Sequence, residues 1–221
     1  MVREDFDRDL RQLKDDLLML GSMVEKAIAR SIDALRRRDQ KAAQEVIDED
    51  DYIDQRRFEI EERCIKLIAT QQPMAGDLRT LIAILHLSVE LERMGDYAEG
   101  IAKISISMGD EPPLKPLIDI PRMADKATDM LRRGLDSLVN RDVVEAASLG
   151  VEDDEVDALY DQIYRELLTF MLEDPKAIQR ATYLLWVAHN LERIADRATN
   201  IGERVIYLVT GKLTDINVSS G

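Results

Sequence analysis

The sequence predicts an all-α protein made of two tandem antiparallel three-helix bundles related by internal duplication. Three observations predict it: turn-forming residues are scarce, the stretches between them carry helical apolar spacing, and two motifs recur about one hundred residues later. Glycine and proline number 10 and 6 among 221 residues, about half of ordinary usage. Aromatic residues are 5 %. An all-β chain needs more turns and more strand-forming side chains than this.

The elements follow in order. A first helix is predicted from about Phe6 to Arg37, with Leu10, Leu13, Leu17, Leu20, Val24, Ala27, Ile28 and Leu35 at helical spacing. Asp39 caps a second helix that runs to about Thr70. The turn Gln72-Pro73-Met74-Ala75-Gly76 precedes a third, about Asp77 to Met108, which at 1.5 Å per residue would be about 48 Å long. Pro112, Pro113, Pro116 and Pro121 crowd the next segment and mark a connector. A fourth helix is predicted from about Pro121 to Asn140, and a fifth, capped by Asp142, to about Glu173. Asp174-Pro175 opens a sixth that reaches Val209, where Gly211 ends it. The expected divisions are a first bundle at 1–109, the connector at 110–119, a second bundle at 120–211 and a loose tail at 212–221.

The duplication is legible residue by residue. Leu91-Glu92-Arg93-Met94-Gly95-Asp96-Tyr97-Ala98 returns as Leu191-Glu192-Arg193-Ile194-Ala195-Asp196-Arg197-Ala198. Glu49-Asp50-Asp51-Tyr52-Ile53-Asp54 returns as Glu152-Asp153-Asp154-Glu155-Val156-Asp157. Two motifs in the same order on corresponding helices point to a repeated three-helix unit. Short connections make its helices antiparallel, and the two units are expected to be related by an approximate two-fold.

Charge excludes several functions. Lys+Arg is 30 and Asp+Glu is 44, a formal net charge of −14. So acidic a chain offers no broad basic face to nucleic acid. No stretch of 18 uncharged apolar residues supports membrane insertion, and the charged N-terminus lacks a signal-peptide core. A soluble cytoplasmic protein is expected. The single cysteine, Cys64, excludes a disulfide framework and is read as a core residue.

Some carboxylates fall on faces expected to be apolar. Leu78, Leu81, Leu85 and Ser88 mark the expected inward stripe of the third helix; seven-residue steps from Leu78 give Leu85, Glu92 and Glu99, and Asp96 lies one turn beyond Glu92. On the sixth helix Leu185 leads to Glu192, then Asp196 and Asn200. Asp50 and Asp54 follow Val46 and Ile47, and Asp153 and Asp157 repeat them. Like charges four apart repel, and near a core they need a proton, a cationic side chain or a metal. Four carboxylates from two facing helices suit a hard cation. Salt bridging by Arg56, Arg57, Arg93 and Arg193 is the alternative; the duplication favours metal. His86 and His189 are the only histidines. Both are read as packing residues, although His189, three before Glu192, is placed to join a site. No E-x-x-H, G-x-S-x-G, Gly-rich phosphate loop or H-E-x-x-H occurs.

These motifs resemble the PhoU family of bacterial phosphate-signalling regulators. Leu191 to Glu203 is similar to the family's LERIAD-x-A-x-NI-x-E signature, and the likeness extends over about Phe6 to Gly211. The resemblance implies a cytoplasmic, non-enzymatic negative regulator of phosphate uptake and of the phosphate-starvation response. Its implied partners are the phosphate ABC transporter ATPase, the sensor histidine kinase and a second copy in a homodimer. It also implies carboxylate-bound iron, zinc, manganese or magnesium. The implied ligands are Asp50, Asp54, Glu92, Asp96, Asp153, Asp157, Glu192, Asp196 and Asn200. Gly100 stands where the pattern has asparagine, and Glu99 is the expected substitute. A carboxylate-bridged metal enzyme and a metal-free helical scaffold are the competing readings.

Overall fold

The computed structural model describes residues 2–109 and 111–216. Six long α-helices account for most of them: α1 (Val2–Arg37), α2 (Gln40–Gln71), α3 (Gly76–Met108), α4 (Asp119–Asn140), α5 (Val143–Glu173) and α6 (Ile178–Thr210). No strand occurs among the described residues. The predicted helices are all present. The sixth differs at its start, where Asp174 caps one 3₁₀ turn, Pro175–Ala177, before α6 begins. Proline at the first position suits a helix start because its missing N–H would have no partner there.

The caps are those expected from side-chain chemistry. The Asp39 carboxylate accepts from the Ala42 amide at 2.9 Å. Asp142 accepts from Val144 and Glu145, each at 3.0 Å. Both satisfy amides that a helix leaves without intrahelical partners. Gly211 ends α6 at φ 75°, a left-handed conformation that costs glycine least.

The helices pack as two triplets, α1–α2–α3 and α4–α5–α6, joined through α1 on α4 and α3 on α6. The outer helices α2 and α5 do not meet. One hydrophobic core runs through both triplets, with Leu13, Leu17 and Leu20 of α1, Leu87 and Leu91 of α3, Met130 and Leu131 of α4 and Leu191 and Ile194 of α6 all fully buried. Across the joint, position 90 meets position 200, and position 100 meets position 190. Equivalent residues therefore exchange places, so α3 and α6 cross antiparallel about a local two-fold.

Two expectations are corrected. Of the expected inward stripe of α3, Leu81 and Ser88 are buried, but Leu78 is 37 % exposed and Leu85 is half-buried. The buried stripe is Leu81, Ile84, Leu87, Leu91, Met94, Ala98 and Ile101. An α-helix turns 3.6 residues at a time, so strict seven-residue steps drift around its axis. Glu92 and Asp96 accordingly stand on the rim of the core rather than in it. Nor is the start of the expected loose tail free. Ile216 packs against the core, its amide donates to the Glu203 carboxylate at 3.0 Å, and it lies over Gly150 and Gly202. Both glycines lack the Cβ that would fill this space. Residues 217–221 lie outside the described part.

Candidate functional site

The first carboxylate group is built by α2 and α3. Val46 and Ile53 of α2 are buried, so the intervening Asp50, and Asp54 next to Ile53, stand at the edge of the α2–α3 seam. On the facing helix, buried Met94 and Gly95 bring Asp96 to the same seam. Asp50, Asp54 and Asp96 each present an oxygen so that all three lie within 4.8 Å of one another. Among the described residues this is the one set of three or more His, Cys, Asp or Glu side chains that converges so closely.

That convergence has an electrostatic signature. Partial burial pushes the Asp50 carboxyl up to about 7, helped by the negative charges of Glu99, Asp96 and Asp54. Burial and the same neighbours raise Asp96, and burial with Asp96 raises Glu92. Asp54 Oδ1 is buried and accepts no hydrogen bond. An all-oxygen set with excess negative charge and a buried unpaired acceptor fits a hard divalent cation. Arginine charge reaches Asp96 from Arg93 and Glu92 from Arg57 and Arg93, but among the described residues no arginine ion-pairs with the set. Arg57 donates to Glu61 at 2.5 Å, Arg56 pairs with Glu59 at 3.2 Å, and Arg93 is exposed. Lys103 holds Glu99 at 2.5 Å from the exposed side.

The second group has the same motif and a different arrangement. Asp153 is buried at 5 % exposure, while Asp157 is exposed. Burial, then Asp196, raises the Glu192 carboxyl to about 7, and burial with Asp196 raises Asp157. The α5 and α6 carboxylates therefore sense each other, yet no three of them approach as the first set does. Arg193 donates to Asp196 at 2.5 Å, and His189 Nδ1 lies 3.3 Å from Glu192. Salt bridging thus operates in the second repeat and not around the first triad.

The Asn200 amide nitrogen donates to Glu90 of α3 at 3.0 Å, across the joint between the triplets. The equivalent contact sets Gly100 against Asn190. A residue network that motif reading did not identify also occupies this joint. The Tyr97 hydroxyl is hydrogen-bonded by both Arg193 and Arg197, which hold it below the usual phenol range against the opposing effect of burial. Arg197 also pairs with Glu90 at 3.1 Å. The sequence signal was present: positions 97 and 197 are the strongest mismatch between otherwise similar motifs, Tyr against Arg.

Comparison with known proteins agrees with this architecture. The PhoU domain family model matches twice, at residues 17–105 and 120–205. A phosphate-specific transport system accessory protein PhoU homolog of Clostridium acetobutylicum is 41 % identical over 98 % of this chain and 100 % of its own length. One from Aquifex aeolicus is 42 % identical over 93 % of each chain. The crystal structure of PhoU from Pseudomonas aeruginosa superposes with a TM-score of 0.89 at 36 % identity, covering 94 % of this chain and 100 % of that one. The phosphate transport system regulatory protein PhoU from Streptococcus pneumoniae gives 0.88 at 31 % identity, covering 95 % and 99 %. These relatives carry the names of accessory and regulatory proteins, not of catalysts. With both three-helix units matched, each carrying its pair of acidic motifs, the chain belongs to the PhoU family.

Proposed function

We propose that the protein is a regulatory accessory of a phosphate-specific transport system that restrains phosphate uptake and the phosphate-starvation response. In this reading it works in the cytoplasm as a metal-binding adaptor between the transporter ATPase and the sensor histidine kinase. The family membership supports the transporter link. The observation that carries the metal part is the triad Asp50, Asp54 and Asp96, whose oxygens converge within 4.8 Å of one another. Such a set binds a divalent cation through oxygen ligands, and Glu92 and Glu99 stand beside it to complete the coordination. The cation, when bound, would supply charge compensation for the carboxylates at the α2–α3 seam.

Elemental analysis of protein purified without chelator, beside a pull-down with the ATPase and the kinase, tests this reading. Bound iron, zinc, manganese or magnesium, lost in the Asp54→Asn, Asp96→Asn double variant, is the expected result. The same variant, folded and helical, should fail to repress the phosphate response in cells. Full metal content in the variant refutes the ligand set. Loss of metal with normal repression removes metal from the regulatory role.

A further inference from the structure

The two repeats carry the same Glu-x-x-x-Asp motif, but the residues behind it differ. In the second repeat Arg193 donates to Asp196 at 2.5 Å and also to the Tyr97 hydroxyl of the first repeat. Tyr97 is therefore an anchor that keeps the guanidinium turned toward Asp196. The equivalent arginine, Arg93, is exposed and makes no ion pair with Asp96. The local two-fold puts the difference at positions 97 and 197, tyrosine in the first repeat and arginine in the second. Arg93 is exposed, and its charge acts on Asp96 and Glu92 without an ion pair. Arg197 itself is retained by Glu90 at 3.1 Å.

We infer that the two carboxylate groups are functionally unequal: Arg193, anchored by Tyr97, is a resident counter-cation of the second group, which a divalent metal must displace, whereas the first group lies open to the metal. This rests on the cation-binding reading above. A cation entering the second group competes with a charged, planar donor already satisfied at both ends. In the first group the nearest engaged cation is Lys103 on Glu99, whose ammonium is carried on an exposed side chain and outside the converging triad. Ions therefore load in order, first group before second. The second responds only at higher metal levels or when a change at the α3–α6 joint withdraws Arg193. Arg193 is a positioning residue here, and Tyr97 positions it in turn.

The test titrates metal-stripped full-length protein with Mn²⁺, following free ion by electron paramagnetic resonance. Two affinity classes are expected, the tight one lost in Asp96→Asn and the weak one in Asp196→Asn. Arg193→Gln should tighten the weak class about tenfold or more, since hydrogen bonds to charged groups are worth about 1.5–3 kcal/mol. Arg193→Lys keeps the charge and should stay closer to wild type. Tyr97→Phe leaves the arginine in place, removes only its anchor, and should tighten the weak class by a smaller factor. Arg93→Gln should leave the tight class within about twofold, as expected of an exposed charge. An unchanged or weakened second class in both Arg193→Gln and Tyr97→Phe overturns the counter-cation role while metal binding itself stands. No bound Mn²⁺ in any of the proteins overturns the cation reading beneath it. Circular dichroism of each variant confirms that the helices persist.

Discussion

Asp50→Asn isolates the electrostatic cost of the first carboxylate group. In the wild type the Asp50 carboxyl titrates at about 7 instead of 3.8. An acid raised in this way holds a proton in the folded state that the unfolded chain has already released. Between about pH 4 and pH 7 the folded state therefore binds more protons, and stability falls as pH rises. At full burial this displacement would correspond to about 4 kcal/mol. Asp50 is only partly buried, so screening brings it down to about 1–2 kcal/mol. Asparagine keeps the shape and removes the charge. Metal-free Asp50→Asn should be more stable than wild type by that amount at pH 8, a rise in Tm of about 2–8 °C for a chain of this size. At pH 4 the gain should vanish, because the wild-type carboxyl is then protonated. Glu192, also at about 7, contributes equally to both proteins and cancels. Calorimetry in chelator at the two pH values reads the difference. Equal gains at both, or a loss at pH 8, would refute the reasoning. Added Mn²⁺ should reverse the order, since ligand at about 100 times its Kd stabilises the binding-competent protein by about 2.7 kcal/mol.

Two further predictions concern the scaffold. Gly202→Ala would place a Cβ 2.6 Å from the Ala146 carbonyl oxygen; forcing α5 and α6 apart should outweigh the helix preference of alanine and destabilise by about 1–2 kcal/mol, read as a lower urea midpoint. Asp142→Ala removes the acceptor for two amides at the start of α5 and should cost about 1 kcal/mol, with thermal unfolding of the variant as the measure.

The sequence by itself determined the helices, their caps and the duplication. These are set within a few residues of chain: an aspartate reaches its own helix's amides, and apolar spacing follows the 3.6-residue turn wherever the chain goes. It also marked the acidic pairs, because E-x-x-x-D and D-x-x-x-D recur in order. Which pairs converge was decided by tertiary structure. Leu78, Leu81, Leu85 and Ser88 all looked inward by helical spacing, yet packing against α1, α2 and α6 kept only Leu81 and Ser88 fully buried, joined Leu87 and Leu91 to them, and left Glu92 and Asp96 on the rim. The Asn200 amide nitrogen bonds Glu90, a partner 110 residues away. The two repeats read alike until the joint placed position 97 opposite residues of α6. There a tyrosine stands on one side and an arginine on the other, and Arg193 pairs with Asp196 while Arg93 is exposed. A contact across a two-fold depends on both copies at once, so reading either motif along its own helix does not disclose it.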